Sequence, residues 1–132
     1  MKSFNEYLIE EQDCTVYTKQ QMEDLEKFGD KLLNKYNIDI ELTKHFHDRM
    51  NDARNIPCIK ISELQQFFKK MEKVHGKEIK NHGEGQAILK DAQKDLNLPV
   101  VITLLKNGMF EVKAKTIMRK KNFKSSDTRI SY

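Results

Sequence analysis

The dipeptide Asn107-Gly108 separates two runs of unlike pattern. Upstream, Leu98–Leu105 (LPVVITLL) is apolar and rich in β-branched residues. Downstream, Met109–Met118 (MFEVKAKTIM) alternates. Phe110, Val112, Ala114, Thr116 and Met118 share one face, and Glu111, Lys113, Lys115 and Ile117 the other. Two such runs read as strands, and Asn-Gly between them is the strongest short-range signal for an antiparallel hairpin, because both residues tolerate positive φ. Residues 87–97 (AILKDAQKDLN) fit a helix, or a strand ending near Asp91 with a turn through Ala92–Lys94; the hairpin that follows favours the strand. The resulting meander has an apolar face that other elements must cover.

The first half of the chain supplies helices. Thr18 and Gln21 have the form of a capping box. Met22, Leu25, Phe28, Leu32, Leu33 and Tyr36 follow as one apolar stripe of helical period. Gly29 lies within it, at a cost of about 1 kcal/mol relative to Ala. Ile38, Ile40 and Leu42 alternate with Asp39 and Glu41 as a short strand. Thr43 reads as the N-cap of a helix running to Asn55, ahead of Pro57. On that helix Phe46, Met50 and Ala53 pack inward, and His45, Arg49 and Asp52 form one row. Ser62 and Gln65 suggest a second capping box, leading into the stripe Leu64, Phe67, Phe68, Met71 and Val74, with Gly76 as the stop. Residues 76–86 read as a polar loop, and residues 119–132 as a loose or edge-pairing tail. The expected fold is therefore α+β: N-terminal helices packed on a three- to four-stranded antiparallel meander sheet. At 132 residues the chain has room for one core, not two.

Charge is unevenly spread. Residues 1–30 carry 3 bases and 8 acids, a net of −5, whereas residues 106–132 carry 8 bases and 2 acids, a net of +6. A basic end this dense points to a phosphate-bearing partner. No run approaches the length and apolarity of a membrane span, and the first residues lack the apolar core of a signal peptide. Cys14 and Cys58 form no CxxC pair; one bridge between them stays open although nothing in their spacing asks for it, and a reducing cytoplasm fits.

One constellation carries chemistry. His45, His47 and Arg49 on the short helix, with Lys113, Lys115, Arg119, Lys120 and Lys121 from the last strand and its exit, suit metal-independent RNA cleavage. A histidine, with its pKa near neutrality, removes the 2′-hydroxyl proton, and Arg and Lys stabilise the charged transition state. In this scheme His45 is the acid/base, Arg49 and Arg119 bind the scissile phosphate, and Lys115 stabilises charge. Lys113, Lys120, Lys121, Phe123 and Lys124 form the nucleic-acid-binding set, because cations around an aromatic are the recipe for binding a single strand. No metal and no cofactor are expected. His45 and His47 are spaced i, i+2 and point apart on a helix, Cys58, His75 and His82 have no zinc spacing, and no phosphate-binding glycine motif is present.

Two resemblances add to this reading. MKSFNEYLIEE resembles the capsid-targeting sequences of T-even-type phage internal head proteins, with Ser3 in place of the usual Thr. It implies that residues 1–12 dock into a phage head and that a prohead protease cuts after Glu10 or Glu11, each in an [Ile/Leu]-x-Glu context. Residues 42–126 are similar to uncharacterised tailed-phage proteins, through the blocks Thr43 to Asn55 and Lys115 to Phe123. Their layout also resembles the RelE/barnase-like RNase toxins, which implies action on RNA by His45, Arg49, Lys115 and Arg119. Together these imply a 1–12 docking segment and a 13–132 α+β domain with a basic C-terminal strand and tail. The protein would be a virion-associated phage protein, found in the virion or the host cytoplasm. Its partners would be RNA or packaged DNA and, through residues 1–12, capsid or portal proteins, without a membrane. Two other functions fit: a non-enzymatic virion or assembly protein, and an inhibitor of a host protein.

Overall fold

Helices and strands follow from the patterns above, with additions. The computed structural model describes residues 16–132 apart from Ala53, so the docking segment, Glu10, Glu11 and the inward role of Ala53 lie outside the described residues. In chain order there are α1 (Lys19–Leu33), a 3₁₀ turn (Asn34–Tyr36), β1 (Ile38–Leu42), α2 (Lys44–Met50), α3 (Ile61–Lys73) and α4 (Lys77–His82). Strands β2 (Gly85–Asp91), β3 (Leu96–Leu104), β4 (Phe110–Ala114), β5 (Met118–Arg119) and β6 (Thr128–Ser131) complete the fold. The architecture is α+β.

The sheet runs β1–β4–β3–β2–β6, with β5 alongside β3. β2, β3 and β4 form the antiparallel meander, with Leu89 opposite Leu98 and Ile102 opposite Val112. The turn between β3 and β4 closes through Leu105 N–H to Met109 O (2.8 Å) and Gly108 N–H to Leu105 O (3.0 Å), with Gly108 at φ +84°. The sheet is nonetheless wider than the meander, and mixed. β1 joins parallel to β4, with Ile40 opposite Val112, and β6 joins parallel to β2, with Ile130 opposite Leu89. Both connections are long crossovers, which is what parallel pairing requires.

Residues 109–118 do not form one strand. Val100 pairs with Ala114 and Asn97 pairs with Met118, so three steps on β3 face four on the other chain. That extra residue is a bulge. It falls where Pro99 accepts from Lys115 N–H (2.9 Å) but has no N–H to return. The bulge resets the alternation, so that Ile117 turns into the core while Thr116 and Met118 face outward into a cleft.

One face of the sheet is covered by α1 and α3, which pack on each other and, through α1, on β1. Phe46, Phe67, Phe68, Met22, Leu25 and Leu33 fill the space beneath. Gly29 is where α1 comes closest to its neighbours: a Cβ there would lie 3.1 Å from Phe68 Cδ2 and 3.4 Å from Ile40 Cγ1. Thr18 and Gln21 make the expected capping box. α3 begins two residues earlier than Ser62 and Gln65 suggest, with Lys60 as N-cap, and Glu63 Oε1 accepts the Lys60 N–H at 3.0 Å. The 76–86 stretch contains a helix, α4, anchored by the fully buried Ile79; one apolar residue in six leaves no period to read. Cys58 is disulfide-bonded, against the expectation that nothing asks for a bridge.

Candidate nucleic-acid interface

The site is assembled where α2 meets the bulge. Thr43 Oγ1 accepts from Phe46 N–H (3.2 Å), capping α2. The same hydroxyl has the carbonyl oxygens of Ala114 (3.0 Å) and Lys115 (3.1 Å) within donating reach. The start of α2 is thereby tied to the chain that wraps the bulge.

His45 and Arg49 follow on one face of α2. Arg49 donates from Nε to His45 Nε2 at 3.4 Å and from Nη1 to Asp52 Oδ2 at 2.9 Å. With Nε2 as acceptor, the neutral imidazole keeps its proton on Nδ1. Asp52 also receives the Arg54 backbone N–H (2.9 Å) and one edge of the Arg54 guanidinium, through Nε at 3.1 Å and Nη2 at 2.8 Å. Those Arg54 hydrogen bonds, reinforced by Arg49, hold the Asp52 carboxyl far below the usual carboxylate range, and Asp52 in turn raises the Arg54 guanidinium. Asn55, buried beneath, donates to Arg49 O (2.8 Å) and accepts from Arg119 N–H (3.1 Å). The result is a cleft of about 490 Å³, with His45, Arg49 and Arg54 on one wall and Thr116, Met118 and Lys120 on the other.

Of the residues singled out by sequence, His45, Arg49, Arg119 and Lys120 share this cleft. Arg119, however, is spent internally. It donates to the carbonyls of Pro57 (2.8 Å), Lys94 (2.6 Å) and Cys58 (3.2 Å) and to Glu63 Oε1 (2.5 Å), with its side chain only 10% exposed. It is a structural latch rather than a phosphate ligand. Lys115 does not join the cleft: its Nζ donates to Gln86 Oε1 at 3.2 Å. Lys113 sits between Glu41 (3.9 Å) and Glu111 (4.0 Å), so its charge is largely answered. Phe123 is half-buried and Lys124 exposed, and neither lines the cleft. Lys121 lines the adjoining concavity.

Sequence reasoning missed Arg54 and Asn55. The helix expected to run to Asn55 ends at Met50, so Arg54 and Asn55 lie past its end, where helical period says nothing of their direction, and the only hint was the clustering of Arg and Asp around residues 49–54. Among the described residues, no three His, Cys, Asp or Glu side chains are grouped to hold a metal ion, and no helix is long and apolar enough to cross a membrane. No family model, no curated protein and no solved structure matches the chain.

Proposed function

We propose that this is a phage-encoded, virion-associated protein whose cleft engages the phosphate backbone of RNA and cleaves it without a metal. The observation that carries the reading is the convergence of His45, Arg49, Arg54 and Lys120 on one concave surface. Arg49 and Arg54, already oriented by Asp52, grip the non-bridging oxygens of a phosphodiester; planar guanidinium groups suit that geometry. As Arg49 turns to the phosphate it frees His45 Nε2, whose lone pair takes the proton of the 2′-hydroxyl, and the freed oxygen attacks phosphorus. The bond to the 5′-oxygen breaks, and the Lys120 ammonium supplies that oxygen's proton. The products are a 2′,3′-cyclic phosphate and a 5′-hydroxyl. Arg54 takes the phosphate-binding part first assigned to Arg119. Support for a phage origin comes from the two sequence resemblances.

One observation favours the second reading, a virion protein that binds packaged nucleic acid without cutting it. His45 is the one imidazole lining the cleft, and the Asp52 carboxyl there is locked as an anion between two arginines, so it cannot lend a proton. Incubation of the purified protein with labelled RNA in EDTA separates the two. Cleavage that His45→Ala slows by about 100-fold, the usual worth of an acid/base group, supports the enzyme. Tight binding with intact RNA supports the second reading, and the absence of both rejects the proposal.

A further inference from the structure

The groove does not end at Arg119. Beyond it opens a second concavity of about 420 Å³, bounded by Ile56 and Pro57 on one side and by Lys94, Asp95 and Lys121 on the other. Arg119 and Lys120 line both concavities, so the two adjoin along one groove. We propose that the second concavity is a subsite for the neighbouring phosphate of the same strand, with Lys94 and Lys121 as its cations and Ile56 as an apolar rest for the intervening base. This inference rests on the reading of the first cleft as a phosphodiester site.

Three observations support it. The first is charge. Among the described residues Lys120 and Lys121 form no ion pair, so both ammonium groups are available to a ligand, against the single carboxylate of Asp95. Lys94 is the more restrained, donating to Gln66 Oε1 at 2.8 Å.

The second is rigidity. Arg119 joins the 56–58 segment to the 92–95 turn through the carbonyls of Pro57, Cys58 and Lys94, and Lys120 N–H donates to Asp95 O at 2.9 Å. The partition between the two concavities is therefore fixed before any ligand arrives, which lowers the ordering cost of binding. The internal spending of Arg119 acquires a purpose here: it positions the subsites without touching the ligand.

The third is Ile56, 80% exposed. A lone exposed apolar residue is ordinary on a surface. This one lines the second concavity across from Lys94 and Lys121, where the base attached to a phosphate held by them would rest. β-Branching also limits its rotamers, so it offers a firm apolar surface of the kind inserted between bases by other nucleic-acid-binding proteins.

The test measures binding of a dinucleotide and of a six-nucleotide RNA to the full chain, for the wild type, for Lys94→Gln/Lys121→Gln and for Ile56→Ser. These side chains are exposed or half-exposed, so the variants should fold, and circular dichroism checks that they do. The expected result is that the double variant weakens six-nucleotide binding about ten-fold and lowers the salt slope by about 0.7, the contribution of the one single-strand phosphate the subsite holds. Its dinucleotide affinity should stay unchanged. Ile56→Ser should weaken six-nucleotide binding without altering the slope. If both variants bind the longer RNA like the wild type while Arg54→Gln weakens it, the second subsite is rejected and the first cleft stands. If the wild type binds neither RNA, both fall.

Discussion

At the residue scale, the same side-chain types do opposite jobs according to what surrounds them. Arg119 and Arg54 are both arginines near one cleft, yet the first is enclosed by carbonyls and Glu63 whereas the second is exposed and paired to one carboxylate. Removing Arg119 should therefore act on stability. Arg119→Ala leaves Glu63 and three carbonyls without their donor, and the expected loss is about 2–4 kcal/mol by urea denaturation. Arg119→Lys should recover only part of it, because a single ammonium cannot span four acceptors. Arg119→Ala is thus a poor probe of catalysis, and Arg54→Gln the better one. Asp30 offers a pH-dependent counterpart. Its Oδ1 accepts the Ile40 N–H at 2.7 Å, and Glu26 Oε1 accepts the Leu42 N–H at 2.7 Å, so two acids of α1 occupy the free edge of β1. Burial, with repulsion from Asp39 and Glu26, pushes the Asp30 carboxyl up to about 7. The unfolded chain releases this proton near pH 4 and the folded one near 7, so the group lowers stability as pH rises between those values, with a constant penalty above. Asp30→Asn keeps an acceptor for Ile40 and abolishes the titration. It should stabilise the protein at pH 8 by about 1 kcal/mol, a figure reduced for the side chain's partial exposure, and change little at pH 4. Thermal melts at the two pH values check this, and equal effects at both would refute it.

At the element scale, what was legible in the sequence was local. The hairpin around Asn107-Gly108, the capping box of Thr18 and Gln21, the cap at Thr43 and the stripes of α1 and α3 all appear where their patterns put them, because each depends on neighbours within a turn or two. Pairings were not legible. Nothing in Ile38–Leu42 says that it will lie parallel to β4, since strand order is set by the packing of the whole core. The bulge was half-legible: Pro99 lies within a predicted strand, where a missing N–H should disturb the ladder, and Ile117 already stood on the wrong face of an otherwise regular alternation. Its consequence is the cleft itself, because the shift in register turns Thr116 and Met118 outward to make the second wall. The connection between α3 and α4 supplies another test. Gly76 has φ +63°, and a Cβ there would collide with Ile38 Cδ1. Gly76→Ala should cost about 2 kcal/mol or more, from combined backbone strain and overpacking. Thr43→Ala removes a cap and a link to β4; its expected cost is about 1–2 kcal/mol, measured by the shift in urea midpoint.

At the scale of the whole molecule, the division of charge is real but partly consumed by the fold. From the acidic head, Glu26 and Asp30 cover the β1 edge, protecting an exposed strand from pairing with another chain. From the basic tail, Arg119 becomes a latch and Lys113 is answered by Glu41 and Glu111, which leaves Lys120 and Lys121 to join Arg49 and Arg54. A linear count over residues 106–132 cannot see that Arg54, some sixty positions earlier, lines the same cleft as Lys120, nor that Lys115 is turned away to Gln86. The central claim is that this cleft, and not the basic tail as such, meets the phosphate backbone. Amide chemical-shift mapping during titration with a short RNA tests it most directly. The account predicts shifts concentrated at residues 45–55 and 116–121, abolished at high salt and in Arg49→Gln/Arg54→Gln. Shifts confined to residues 122–132, or spread without preference over the surface, would contradict it.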